Sequence, residues 1–165
     1  MALKTLLQGK AHKFGDDITT DYIIAGKHRS KAENVLDLRP YVFNEIRPGF
    51  AGSVAQGDIL VAGHNFGMGS SREHAATLIR ACGIEAVLAK SFARIFYRNA
   101  INIGLPVIEC DTDIISDGDL LTVDLRQGMV RNLTGGREIS FTPIPASLRS
   151  ILEAGGLVNY LKQIK

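Results

Sequence analysis

Residues 59–89 read ILVAGHNFGMGSSREHAATLIRACGIEAVLA, and this stretch decides the fold. Ile59-Leu60-Val61-Ala62 is a short, wholly apolar run, which suits a strand covered on both faces. A glycine-rich turn follows from Gly63 to Gly69. A helix is expected from Ser71, with Ala75, Ala76, Leu78, Ile79 and Cys82 on its apolar face and Gly83 closing it. Ala86-Val87-Leu88-Ala89 is the next buried strand. Phe92 to Asn102 reads as a second helix with Ser91 as its N-cap, and Gly104-Leu105-Pro106 stops it before the strand Val107-Ile108-Glu109. Short buried strands alternating with helices imply parallel β-α-β units with right-handed crossovers.

Working outward, the residues up to Phe14 suit one or two strands with a turn at Gly9-Lys10. Gly15 to Asp21 is a polar loop, followed by the strand-like apolar run Tyr22-Ile23-Ile24-Ala25. Residues 26–34 lack apolar periodicity and are expected to form an exposed, mobile loop. A weakly amphipathic stretch covers 35–45, and Arg47-Pro48-Gly49 marks a break. On the C-terminal side, Leu121 to Leu125 and Met129 to Leu133 suit strands. A Gly135-Gly136 turn then leads to Glu138-Ile139-Ser140-Phe141 in a hairpin. Pro143 and Pro145 introduce a last helical region, interrupted at Gly155-Gly156. The expected fold class is therefore α/β: one domain over residues 1–165, with a mixed sheet and flanking helices.

Composition narrows the function. A hydrophobic fraction of 45% over 165 residues fills a core without disulfide or metal staples. The net charge of +2 is spread over interspersed acids and bases, so no nucleic-acid partner is expected. No apolar run approaches the roughly 20 residues that span a bilayer, and Met1-Ala2-Leu3-Lys4 leads straight into a polar stretch. The expected location is the cytoplasm, without membrane attachment. Cys82 and Cys110 are the only cysteines, and neither lies in a CxxC motif. Alone, the chain cannot supply the three or four ligands of an iron–sulfur cluster or structural zinc, so no metal is expected and both thiols read as core residues.

The chemistry concentrates at the glycine-rich turn. Gly63, Gly67 and Gly69 permit positive φ and close approach of a ligand to the backbone. Ser70 and Ser71 stand where the turn enters a helix, whose unpaired N–H groups favour anions, and Arg72 adds a fork suited to a carboxylate. A hydroxyl held among such groups can serve as a base. The same residues also suit an ordinary capping box between Ser70 and Glu73.

Other motifs fail on spacing. A phosphate-binding loop needs Gly-Lys-Ser/Thr after its variable residues, where this chain has Met68-Gly69. A dinucleotide fingerprint needs Gly or Ala where Arg72 stands, and a nucleophile elbow needs Gly where Glu73 stands. His64 and His74 flank the turn without ligand partners and read as packing or hydrogen-bonding residues. Asp16, Asp17 and Asp21 lack calcium-loop spacing.

Three ordered motifs carry a resemblance: Gly15-Asp-Asp-Ile-Thr-Thr-Asp-Tyr-Ile-Ile24, Gly63-His-Asn-Phe-Gly-Met-Gly-Ser-Ser-Arg-Glu-His-Ala75, and Ser91-Phe-Ala-Arg-Ile-Phe-Tyr-Arg-Asn-Ala-Ile-Asn-Ile-Gly-Leu-Pro106. With them the chain resembles the small subunits of 3-isopropylmalate dehydratase, and equally the swivelling C-terminal domain of aconitases. The resemblance implies a swivelling β/β/α domain in a hydro-lyase of leucine biosynthesis that isomerises 2-isopropylmalate to 3-isopropylmalate. It also implies a large-subunit partner carrying a [4Fe–4S] cluster, and a homo-oligomer when the chain is isolated. By the same resemblance Ser70 is the catalytic base, Asp21 an active-site polar group, and Ser71 and Arg72 substrate-carboxylate holders beside Gly69.

Residues 27–30 depart from the usual aromatic-Leu pattern and read Lys27-His28-Arg29-Ser30. An arginine of aconitases binds a substrate carboxylate, and Arg29 corresponds to it by neighbourhood. His28 and the stems of Lys27 and Arg29 also suit packing on an alkyl group. Homoaconitate and substituted malates such as 2,3-dimethylmalate stay open as substrates, and a regulatory RNA-binding module is the non-enzyme alternative.

Overall fold

The computed structural model describes residues 4–29, 32–70 and 73–164. Among them lie strands β1 (Leu6–Lys13), β2 (Ile59–Val61), β3 (Ala86–Ala89), β4 (Val107–Glu109), β5 (Leu120–Asp124), β6 (Met129–Asn132) and β7 (Arg137–Ser140). They form one sheet in the order β4-β3-β2-β1-β5-β6-β7. β1 is the seam. It runs parallel to β2, with Ala11 opposite Ile59, and antiparallel to β5, with Leu6 opposite Asp124. β2, β3 and β4 continue in parallel, whereas β5, β6 and β7 form an antiparallel meander. The mixed α/β sheet is the expected one.

The helices are α1 (Thr20–Ile23), α2 (Gly26–Arg29), α3 (Phe50–Ser53), α4 (Glu73–Ala81), α5 (Arg94–Asn102), α6 (Ala146–Glu153) and α7 (Leu157–Gln163). Two 3₁₀ segments, Val35–Tyr41 and Thr112–Ile114, complete the described elements. The crossovers from β2 to β3 and from β3 to β4 are α4 and α5, which pack on each other. Ala75, Ala76, Leu78 and Ile79 of α4 are fully buried, as their spacing predicts. Gly83 ends that helix at φ +110°, a conformation glycine adopts without steric cost.

Several local expectations are corrected. No turn interrupts the first strand at Gly9. Gly9 pairs with Leu121 inside β1, and a Cβ there would meet the Gly57 carbonyl and lie 2.8 Å from the Asp58 Cα, so the glycine serves a close backbone approach. Tyr22–Ala25 is not a strand, because Thr19 Oγ1 accepts the Tyr22 N–H at 3.2 Å and caps the single turn of α1. The stretch 26–34 is not wholly an exposed loop. Gly26–Arg29 is a helical turn with His28 half-buried, while Ser30 and Lys31 lie outside the described residues. Ser91 does not cap α5, whose N-cap is Ala93; the Ser91 hydroxyl instead accepts the Asn65 N–H at 2.8 Å.

The core lies between the sheet and its helices, with Phe14, Phe43 and Phe50 in mutual ring contact beside β1. At its margin the buried His12 Nε2 and Asp58 Oδ2 stand 2.7 Å apart, and Asp58 also accepts the Ala55 and Lys10 N–H groups. Burial pushes the Asp58 carboxyl upward, but the His12 bond, the two backbone donors and the His12 charge together hold it below its ordinary range.

Candidate active site

The glycine-rich turn leaves the carboxyl end of β2, the end where open α/β sheets place ligands. It is fastened on both sides. Toward the first motif, His64 N–H donates to Asp16 Oδ1 at 2.7 Å, Asn65 Nδ2 to Asp17 Oδ1 at 3.0 Å, Gly67 N–H to the Ile18 carbonyl at 2.7 Å, and Thr20 N–H to the Met68 carbonyl at 2.8 Å. Toward the third motif, Phe66 N–H donates to the Ser91 carbonyl at 3.0 Å, and its ring meets Phe92 and Phe96 edge-on. The three sequence motifs are thus three adjacent strips of one surface. Asp16 and Asp17 fasten the turn to the first motif.

Gly67 at φ +88° and Gly69 at φ +112° steer the chain to Ser70, which is exposed. The Ser70 Oγ lies 3.4 Å from Thr20 Oγ1, whose hydroxyl also sits 3.3 Å from the Ser70 carbonyl oxygen. Thr20 is only 3% exposed, so the open serine rests on a buried threonine. Sequence reasoning overlooked Thr20. Its one signal was its place in Thr19-Thr20-Asp21, which gives no hint of contact with a residue fifty positions away.

Asp21 follows directly, and its Oδ1 accepts the Gly26 N–H at 3.2 Å, tying α1 to α2. On α2 the two sequence candidates part. The His28 ring lies flat on Tyr41, with centroids 4.2 Å apart and planes at 8°, and its Nε2 is 3.5 Å from Glu45 Oε1. Lys27 Nζ pairs with the same carboxylate at 3.0 Å and lowers its pKa, aided by His28. Arg29 is exposed. The structure therefore gathers Gly69, Ser70 and Thr20 at one point with Asp21 beside them, whereas His28 is engaged with Tyr41 and Glu45. Ser71, Arg72 and the side chain of Glu73 lie outside the described residues, and with them the alternative capping box.

An opening of about 400 Å³ lies off the carboxyl ends of β2, β3 and β4, lined by His64, Lys90, Glu109, Cys110 and Asp111. Its cation is paired: Lys90 Nζ is 2.5 Å from Asp113 Oδ1, which raises the lysine and lowers the carboxyl.

Residues 19–112 match the family model of the aconitase C-terminal domain. A 3-isopropylmalate dehydratase small subunit of Thermotoga maritima is 52% identical over 159 residues, 96% of each chain. Another, of Archaeoglobus fulgidus, is 55% identical over 158 residues, 95% of this chain and 98% of that one. The chain belongs to the 3-isopropylmalate dehydratase small-subunit family. A crystal structure of 3-isopropylmalate dehydratase from Methanocaldococcus jannaschii agrees, with a TM-score of 0.92 at 47% identity over 96% of this chain and 95% of that one. Thermococcus kodakarensis aconitase X shares the fold at a TM-score of 0.50 and 16% identity.

A [4Fe–4S] cluster, which membership of the aconitase superfamily brings into question, does not fit this subunit's own residues. Burial pushes the Cys82 thiol up to about 11, with Arg39 opposing, and Cys110 up to about 12 with Asp111 reinforcing. They are also the only two cysteines of the chain, fewer than the three or four thiolates that hold such a cluster. Among the described residues no three His, Cys, Asp or Glu side chains group as a metal site. No described helix is long and apolar enough to cross a membrane.

Proposed function

We propose that this chain works in the cytoplasm as the small subunit that completes a 3-isopropylmalate dehydratase, with residues 1–165 acting as one swivelling domain. The observation that carries the reading is the exposed Ser70 at the end of a turn fastened by all three motifs. In this reading Ser70 takes the proton from the carbon beside a substrate carboxylate. The adjacent carbon loses its hydroxyl, a double bond forms, and water re-adds with the opposite regiochemistry. A [4Fe–4S] cluster on the large subunit would supply the Lewis-acid chemistry for the departing hydroxyl.

Gly69 lets the substrate approach the backbone, while Ser71 and Arg72 hold a carboxylate. Asp21 sets α2, from which Arg29 reaches toward the substrate's distal end. His28, stacked on Tyr41, shapes that end rather than binding it by charge. The exposed Arg29 also favours a second reading, a substrate with a third carboxylate such as homoaconitate.

Reconstitution with the cognate large subunit tests the proposal. The chain alone should leave 2-isopropylmaleate unhydrated, and the complex should hydrate it faster than homoaconitate or 2,3-dimethylmaleate. Ser70→Ala in the complex should lower turnover by about a thousand-fold, the scale of a lost general base. Undiminished turnover would remove Ser70 from the role.

A further inference from the structure

We propose that Thr20 is a positioning residue for Ser70, holding the serine oxygen in place and donating a hydrogen bond to it whenever it carries negative charge. This rests on the reading of Ser70 as the base. The threonine hydroxyl has a single proton and two oxygens in reach, the Ser70 carbonyl at 3.3 Å and the Ser70 Oγ at 3.4 Å. While Ser70 keeps its own proton, the Thr20 proton points to the carbonyl and the Thr20 oxygen can accept from Ser70. Once the serine is deprotonated, rotation about the Thr20 Cβ–Oγ1 bond turns the same proton onto the serine oxygen. No heavy atom has to move.

Three features fix the threonine for this task. It is buried to 3% exposure, its N–H is anchored on the Met68 carbonyl at 2.8 Å, and its β-branched side chain has few rotamers. Gly69 keeps the gap narrow, since a Cβ there, besides requiring φ +112°, would stand 3.1 Å from Thr20 Oγ1. A water-excluded hydroxyl aimed at developing charge is worth most where the surroundings do not reorganise.

The test uses the reconstituted two-subunit enzyme with 2-isopropylmalate. Thr20→Val keeps the shape and removes the hydroxyl; kcat should fall about ten- to hundred-fold, the effect of one hydrogen bond to a charged group, while KM stays within about threefold. Thr20→Ser should recover most of the loss, and affinity for the large subunit should not change. A Thr20→Val enzyme with parental kcat overturns the inference, as does a loss confined to KM or to subunit association. If valine prevents folding, Thr20→Ala and Thr20→Ser decide by the same kcat comparison. Ser70→Ala run in parallel separates the two claims: an inactive Ser70→Ala beside a fully active Thr20→Val removes only the role of Thr20, whereas an active Ser70→Ala removes both.

Discussion

The two halves of the sheet are built to different rules. In the parallel half, every residue of β2 and β3 is buried. In the antiparallel half, β5 and β6 alternate between core and surface, and β7 buries only Ile139. A strand covered on both faces leaves only its ends free to carry polar chemistry, and the fastened turn to Ser70 leaves one of those ends. A strand with one wet face can vary along its length, and β5 to β7 present Leu120, Thr122, Arg131 and Glu138 outward without contributing to the candidate site. The parallel half builds the site, and the antiparallel half closes the core against it.

That contrast can be broken by measuring how each half responds to truncation. The largest effect is expected from Leu88→Ala in β3, where a fully buried side chain leaves a cavity; urea melts should show a loss of about 2–5 kcal/mol. Gly67→Ala should follow, at about 2–4 kcal/mol, because it forces φ +88° on alanine and drives its Cβ into the Phe96 ring. Its kcat should drop as well, which separates it from Leu88→Ala when both are assayed below their unfolding midpoints.

Asp58→Asn sits at the seam and should cost about 1–3 kcal/mol at neutral pH, since an amide accepts at one oxygen only and its NH2 must face either the Lys10 N–H or the Ala55 N–H and His12. The folded Asp58 pKa lies below its ordinary 3.8, so its contribution is fully present above about pH 4 and disappears as pH falls through the lowered value. The asparagine variant should therefore show a flatter decline in stability on the acid side. The smallest effect is expected from Arg131→Ala on the exposed face of β6, whose contact with Glu138 is 3.8 Å long. Its midpoint should stay within about 0.5 kcal/mol of the parent. A larger loss there than at Leu88 would undo the comparison.

The same difference explains what was legible in the sequence. Ile59–Ala62, Ala86–Ala89 and the α4 face announce themselves because unbroken apolar runs and helical spacing are local signals. The hairpin of β6 and β7 was equally plain from Gly135-Gly136 and alternation. Gly9 misled because a glycine needed for a close approach to Gly57 looks, in one dimension, like a turn. The single turn of α1 and the 3₁₀ segment Val35–Tyr41 with Pro40 inside it are too short to show a period. Ser91 resembled a cap, but its hydroxyl was claimed by Asn65 from another strip of the surface. At the candidate site, the positive-φ turn at Gly69 was readable from its glycines, while the contact of Thr20 with Ser70 is one that no local pattern encodes.

The Thr20–Ser70 contact also bears on the order in which the molecule acquires its chemistry. Its partners are separated by fifty positions, so the contact closes a long loop, and the parallel pairing of β1 with β2 holds residues 15–20 beside 63–70. On the reading of Ser70 as the base, the contact that positions its oxygen belongs to the completed fold alone, and a partly unfolded chain lacks it.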